Sequence, residues 1–351
     1  MDTTTINGVE IIRGLDIEEY HRSPILSHTK LQDWITGSPA AWKAKWVEGN
    51  RSDKESDHFV VGRALDDLIF DRAGFAQRWT TSPARYPSLR VLTKKEVDAG
   101  TAVASDEEVE SCLAYMGDPD GFRGKPCGIE FKTWNAQARY CDGWIQAQAR
   151  EGRLILTSDQ MRMVKAEASE VARNPFAREI LRAPGAEFQV TLRWEIDGIL
   201  FQARPDIVNF QDWTWDDLKT ARNLEAIGKH FVFLGYDMQA GLIWDALTRL
   251  RGEEPARSRH IYVDKGFYPA CEVREIFGPV VGPAYMEYGF ARAVRIGKEI
   301  EQARRTGKFE RPQKEMLPMV VPEWIQRKIV ERDEVSPGEF AEDVDEVALE
   351  F

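Results

Sequence analysis

Asp206, Asp217 and Lys219 are the residues whose types and spacing could do chemistry in this chain. Asp217 and Lys219 stand two apart in a short strand-like run, so their side chains point to one face of a sheet. Asp206 lies eleven positions before Asp217, across a turn at Asn209 to Asp212, where a neighbouring strand brings its carboxylate beside the pair. Two carboxylates and a lysine crowded on one face are costly unless a cation sits between the acids. Mg²⁺ fits that place, because a hard divalent cation takes oxygen ligands, keeps several waters and leaves positions for phosphate oxygens. The lysine would then orient or help deprotonate an attacking water and balance the charge of a pentavalent transition state. This is the chemistry of phosphodiester hydrolysis.

The elements that must position these groups can be read from the apolar pattern. Phe188, Val190, Leu192 and Trp194 alternate, a turn follows at Asp197-Gly198, and a second apolar run covers Ile199 to Val208. This predicts a β-hairpin that continues into the Asp217 strand as a three-strand meander. Beyond Lys219, Leu224 to Phe233 reads as helix, Gly235 breaks it, and Tyr236 to Leu250 forms a second helix. On that helix Tyr236, Gln239 and Ile243 share one face, with Leu242 and Ala246 toward the core. His260 to Asp264 and Ala270 to Ile276 are expected strands, followed by a long helix from Val280 to Arg305. Its basic residues Arg292, Arg295, Lys298, Arg304 and Arg305 are interleaved with Glu299 and Glu301, which favours a solvated face over a nucleic-acid track.

Upstream, Ser27 is placed as the N-cap of a helix through Lys30, Leu31, Trp34 and Ile35, and Pro39 opens a second helix. Val61 to Phe70 predicts an amphipathic helix with Leu65, Leu68 and Ile69 on its buried side. Thr157 to Gln160 caps another that runs to Asn174-Pro175, with a short helix to Leu181 leading to Glu187.

Asp206, Asp217-x-Lys219, and Tyr236 and Gln239 in Gly235-Tyr236-Asp237-Met238-Gln239 resemble the PD-(D/E)xK nuclease motif with the downstream Gln/Tyr helix of its exonuclease branches. The likeness is greatest to the RecE-type exodeoxyribonuclease VIII family and covers roughly residues 16 to 330. It implies an α/β fold with a restriction-endonuclease-like core, in which a mixed central sheet is flanked by helices and preceded by helical N-terminal elements. It also implies Mg²⁺, with Mn²⁺ as a substitute, held by Asp206, Asp217, Glu187 as third carboxylate, and the Leu218 carbonyl. The family helix reading Gly-x-x-x-His stands here as Gly62-Arg63-Ala64-Leu65-Asp66, so Asp66 takes the metal-facing histidine's position and changes its charge by one unit. Lys219 becomes the base or electrostatic stabiliser, Gln239 and Tyr236 position substrate, and Ser27 and Lys30 recognise the 5′ end. The implied activity is degradation of linear duplex DNA from its 5′ ends by a homo-oligomeric ring. The 3′ single strands so left would pass to a single-strand annealing or single-strand-binding recombination partner. Other-polarity or endonucleolytic action, or a DNA-binding protein weakened in catalysis, are the alternatives.

The 351 residues, 43% of them hydrophobic, suffice for a large core. A net charge of −11, from 47 Lys and Arg against 58 Asp and Glu, argues against a general nucleic-acid-coating surface and requires any DNA contact to be local. Cys112, Cys127, Cys141 and Cys271 lack paired spacing, which predicts reduced thiols and neither a zinc site nor an iron–sulfur cluster. The absence of a signal-like or membrane-spanning stretch leads to the expectation of a cytoplasmic protein. Residues 1–15 are expected to be peripheral, 16–330 to form the nuclease domain, and 331–351 to be an acidic tail, of which residues 339–351 contact a partner or fold over the DNA track.

Overall fold

The computed structural model describes residues 1–50, 57–81, 148–265 and 267–310. The chain divides into a unit spanning Met1–Phe309 and a second from Glu310 to Phe351. The expected acidic tail lies wholly outside the described residues.

Two strand systems carry the fold, which is mixed α/β. The first sheet is antiparallel in the order β1 (Asp2–Ile6), β2 (Val9–Arg13), β6 (Thr191–Ile196), β7 (Ile199–Ala203). Residues 1–15 are therefore not peripheral: Val9, Ile11 and Ile12 are buried on β2, which pairs with β6. The second sheet has the order β11 (Cys271–Phe277), β10 (Arg257–Asp264), β9 (Thr214–Ala221), β8 (Ile207–Asn209), β5 (Ala186–Phe188). Its β9–β10 pair is parallel and the others antiparallel. A short parallel pair, β3 (Trp79–Thr81) with β4 (Leu154–Leu156), stands apart.

The expected three-strand meander is divided between the two sheets. The run from Ile199 to Val208 is interrupted at Arg204-Pro205, where proline offers no N–H to a ladder, and the chain leaves the first sheet to enter the second at Ile207. The hairpin turn at Asp197-Gly198 forms as expected. Its φ values of 51° and 80° are the left-handed pair that matches strand twist. The Asn209 to Asp212 turn also forms, with Asn209 Oδ1 accepting from the N–H groups of Gln211 and Asp212.

The second sheet is covered on both faces. On one side lie α4 (Asp57–Phe70), α6 (Ser158–Arg173) and α7 (Pro175–Leu181), whose Leu65, Val171 and Ile180 pack with Ile207, Leu218 and Ile261. On the other side α9 (Tyr236–Arg251) and α10 (Ala284–Thr306) bring Met238, Leu242, Ile243, Met286 and Ile296 into a core shared with Trp215 and the first sheet. α8 (Ile227–Phe233) and α9 form the crossover between the parallel strands. The remaining helices are α1 (Ile17–Arg22), α2 (His28–Thr36), α3 (Pro39–Trp46) and α5 (Arg72–Arg78). Thr157 and Gln160 form a reciprocal capping box at the start of α6, and Ser38 caps α3 ahead of Pro39.

α9 is buried nearly all round, so Ile243, on the same face as Tyr236 and Gln239, is itself part of the core. Four of the five basic residues of α10 make pairs within the chain. Arg292 bonds the buried Asp237, Arg295 pairs with Glu299, Lys298 with Asp197, and Arg304 reaches Glu301 and the Pro24 carbonyl.

α9 and α10 meet through glycine. A Cβ on Gly289 would lie 1.8 Å from the Asp237 carbonyl oxygen, and one on Gly241 would lie 2.3 Å from the Phe290 nitrogen. Gly289→Ala should therefore separate the helices and lower the unfolding free energy by about 1–3 kcal/mol. An unchanged midpoint in urea denaturation would show that the crossing tolerates the methyl group.

Candidate active site

β8 ends against β9 just where the chemistry begins. Their ladder covers Ile207 to Asn209 against Asp216 to Thr214, so the edge of β9 beyond Asp216 faces Asp206 and not a strand. The Asp206 N–H donates to Asp217 Oδ1 (3.1 Å), and Asp206 Oδ2 accepts from the Leu218 N–H (2.8 Å). Each aspartate thus fixes the other through the backbone. In a strand the N–H and C=O of one residue point to the same side, so the Leu218 carbonyl also faces Asp206.

Alternation along β9 sorts the charges. Trp215, Asp217 and Lys219 share the α9 face, whereas Asp216 turns to the opposite face and is held in two hydrogen bonds by Arg259 (2.7 and 2.9 Å). Asp217 is fully buried and bonds the Lys219 ammonium directly. The ammonium also lies 5.2 Å above the Tyr236 ring. Gly235 makes this approach possible: its φ is 74°, and a Cβ there would stand 2.3 Å from Gln32 Oε1.

α4 delivers Asp66 to the same cluster. Burial, against the opposing pull of Lys219 and with a push from Asp217, raises the Asp66 carboxyl to about 7. Burial and Asp217 together hold Asp206 well above the usual carboxylate range, and a side-chain hydrogen bond joins the two acids. Burial also pushes Asp217 upward, but the Lys219 ammonium brings it below the ordinary value. Burial lowers Lys219, and the Asp217 and Asp206 charges outweigh that effect and raise it. Carboxyls that hold protons this strongly lack compensating positive charge.

Two clefts meet over the cluster. One of about 670 Å³ is bordered by Asp206, Arg204, Gln239, Gln189 and His28. The other, of about 800 Å³, is bordered by Tyr236, Tyr262, Thr220, Arg222 and Lys265. Asp66 and Arg63 line both. Asp206, Asp217, Lys219, Asp66, Gln239 and Tyr236 thus lie around one cluster.

Three expected site residues are not. Glu187 lies on β5, where the Arg13 guanidinium holds its carboxylate (Nη2 to Oε1, 3.0 Å). The N-terminal hairpin, which supplies Arg13, engages the Glu187 carboxylate away from Asp206 and Asp217. Lys30 is 1% exposed, donates from Nζ to the Ser23 and Ile25 carbonyls, and lies 5.1 Å above the Trp46 ring. Ser27 is 2% exposed, and its hydroxyl bonds Tyr20 in place of capping α2. Neither residue can meet a DNA end in this conformation. Asp67, next to Asp66, is tied to Arg78 and the Trp79 indole.

Other residues at the site carried no signal in the sequence. His260 stands opposite Asp217 in the parallel register, and Tyr262 opposite Lys219. His260 Nδ1 is 2.9 Å from the Tyr262 hydroxyl, and burial lowers the imidazole to about 3. His28 lies half-buried at the cleft and is lowered to about 4, by burial first and then by Lys219. Arg204 reaches the Leu15 carbonyl and Gln189 Oε1. Only the apolar alternation of β10 could have placed His260 and Tyr262 on the Asp217 face.

No protein-family model matches this sequence, and no curated protein does. The fold is similar to the crystal structure of a protein from Eubacterium rectale named "Putative exonuclease". The match has a TM-score of 0.51 at 10% identity and spans 90% of this chain and 98% of that one. A second solved structure, SSO0001, aligns with a TM-score of 0.25 at 12% identity over 72% of this chain and 89% of its own, too weakly to carry an argument. Among the described residues no helix is long and apolar enough to cross a membrane.

Among the described residues no three His, Cys, Asp or Glu side chains form a ready metal cage. The donor set nevertheless suits Mg²⁺, which typically takes one or two carboxylates and fills its remaining positions with water and phosphate oxygens. The raised Asp206 and Asp66 carboxyls mark where positive charge is missing.

Asp66 gives a pH prediction. Its folded value of about 7 lies above the ordinary 3.8, so the folded state binds the extra proton in that window and loses stability as pH rises through it. In chelator, Asp66→Asn should be more stable than the parent at pH 8, by roughly 1–3 kcal/mol, and the advantage should vanish near pH 4. A stability difference independent of pH, measured by denaturant titration, would contradict this environment for Asp66.

Proposed function

We propose that this chain is a metal-dependent deoxyribonuclease of the PD-(D/E)xK type, related to the RecE-type exonucleases, that degrades linear duplex DNA from its 5′ ends. The observation that carries the reading is the interlock of Asp206, Asp217 and Lys219 at the open edge of β9, beneath a cleft that Asp66 and Gln239 also line. The likeness in fold to a protein named as an exonuclease supports the same class.

In this reading Asp206, Asp217, Asp66 and the Leu218 carbonyl hold Mg²⁺, and Glu187 does not. The metal supplies Lewis acidity toward a scissile phosphate and lowers the pKa of a bound water. Lys219 has its own part. Its ion pair with Asp217 favours the ammonium form, so it serves as an electrostatic stabiliser of charge growing on the phosphate, and not as the base. Tyr236 fixes the ammonium from above, and the Gln239 amide in the adjoining cleft orients a phosphate oxygen or the attacking water.

Digestion of end-labelled linear duplex with Mg²⁺, against a closed circular control, tests the reading. Asp217→Asn and Lys219→Met, which keep the side-chain volumes and so open no large void, should each lower nucleotide release by at least about 10²-fold. Release at parental rates in either variant, or cleavage of the closed circle, would sink it. Glu187→Gln should keep activity within about threefold, because a half-exposed ion pair with Arg13 contributes little. A collapse in that variant, with stability unchanged, would return Glu187 to the metal.

A further inference from the structure

The cleft bordered by Tyr236 and Lys265 carries a feature that hydrolysis does not require. Phe59 on α4 and Phe233 at the end of α8 both line it, and they are 74% and 73% exposed. Two large rings exposed at one cleft rim offer apolar faces that the described residues leave uncovered. The same cleft is lined by three cations, Arg63, Arg222 and Lys265, against Glu18 and, at its inner end, Asp66. Aromatic faces interleaved with cations along one groove match the chemistry of a nucleic-acid strand, whose bases stack on rings while its phosphates follow the positive charge. Such local charge also satisfies a chain whose net charge is −11.

We propose that Phe59 and Phe233 form a stacking platform for unpaired nucleotides of the strand being cut, so that the cleft receives single-stranded DNA and not intact duplex. The inference rests on the nuclease reading for the word "cut", but the platform itself depends only on the cleft. Within a duplex each base is already stacked on its neighbours and offers an external ring only its edge. Only a terminal or unpaired base presents a free π-face to Phe59 or Phe233. The platform therefore acts at a frayed end, and it captures the strand before its phosphate reaches Asp66 and Lys219.

Two measurements separate the platform from the chemistry. In chelator, where nothing is hydrolysed, a single-stranded oligonucleotide carrying 2-aminopurine should bind the full-length protein with quenched fluorescence. Phe59→Ala and Phe233→Ala should each weaken that binding by about tenfold, whereas Phe59→Tyr and Phe233→Tyr should retain it. With Mg²⁺, the alanine variants should raise KM for duplex with mismatched, frayed ends and leave kcat nearly unchanged. Unaltered oligonucleotide affinity in both alanine variants, with melting temperatures equal to the parent, overturns the platform. Ring-dependent binding in a protein that releases no nucleotides would support the platform and defeat the nuclease reading, so the two fail separately.

Discussion

The burial of Asp217 is the constraint on which the rest depends. A fully desolvated carboxylate persists only with a cation and hydrogen-bond donors around it. Here the Lys219 ammonium and the Asp206 N–H provide them, and the Leu218 N–H does the same for Asp206. These contacts require β8 to stop short of Asp217, since a longer ladder would occupy the groups that bind the acids. They also require helices on both faces, to exclude water from the sheet.

The surrounding architecture can be understood as support for that edge. Proline at 205 ends one sheet and lets the chain start another, so that Asp206 arrives at the junction with its backbone N–H free to bond Asp217. Glycines at 241 and 289 let α9 and α10 approach closely, and the Arg292 to Asp237 pair locks the two helices. α9 can then present Tyr236 above Lys219 and Gln239 in the adjoining cleft. Asp66 comes from a helix on the other side of the sheet, which is why the two clefts meet over it.

Electrostatics at the cluster are unbalanced in a way that suits a guest. Three carboxyls face one ammonium, and two of the carboxyls hold protons more tightly than usual. Neutral histidines border the cluster, His28 and His260, both kept uncharged by burial. They add aromatic surface without adding positive charge. A divalent cation entering here would displace protons, so affinity for it should rise with pH.

The Asp206, Asp217 and Lys219 set, the Tyr236 and Gln239 pair on one helical face, and the order of strands and helices after residue 156 could be read from the sequence. Each follows from a local period or turn, as at Asp197-Gly198 and at the Thr157 capping box. What the sequence could not decide was how distant segments use their side chains. Glu187 has the type of a metal ligand, yet Arg13, far away in the chain, captures it through a hairpin whose first strand is wholly exposed and gave no apolar signal. Lys30 and Ser27 look like surface polar groups on a capped helix, but packing of Trp42, Trp46 and Tyr20 around them turns them inward. His260 and Tyr262 join the site only because β10 pairs in parallel with β9, a register set by the crossover of α8 and α9. Local periodicity thus determined which residues share a face, whereas charge pairing and burial across the sheets decided which of those faces became the site.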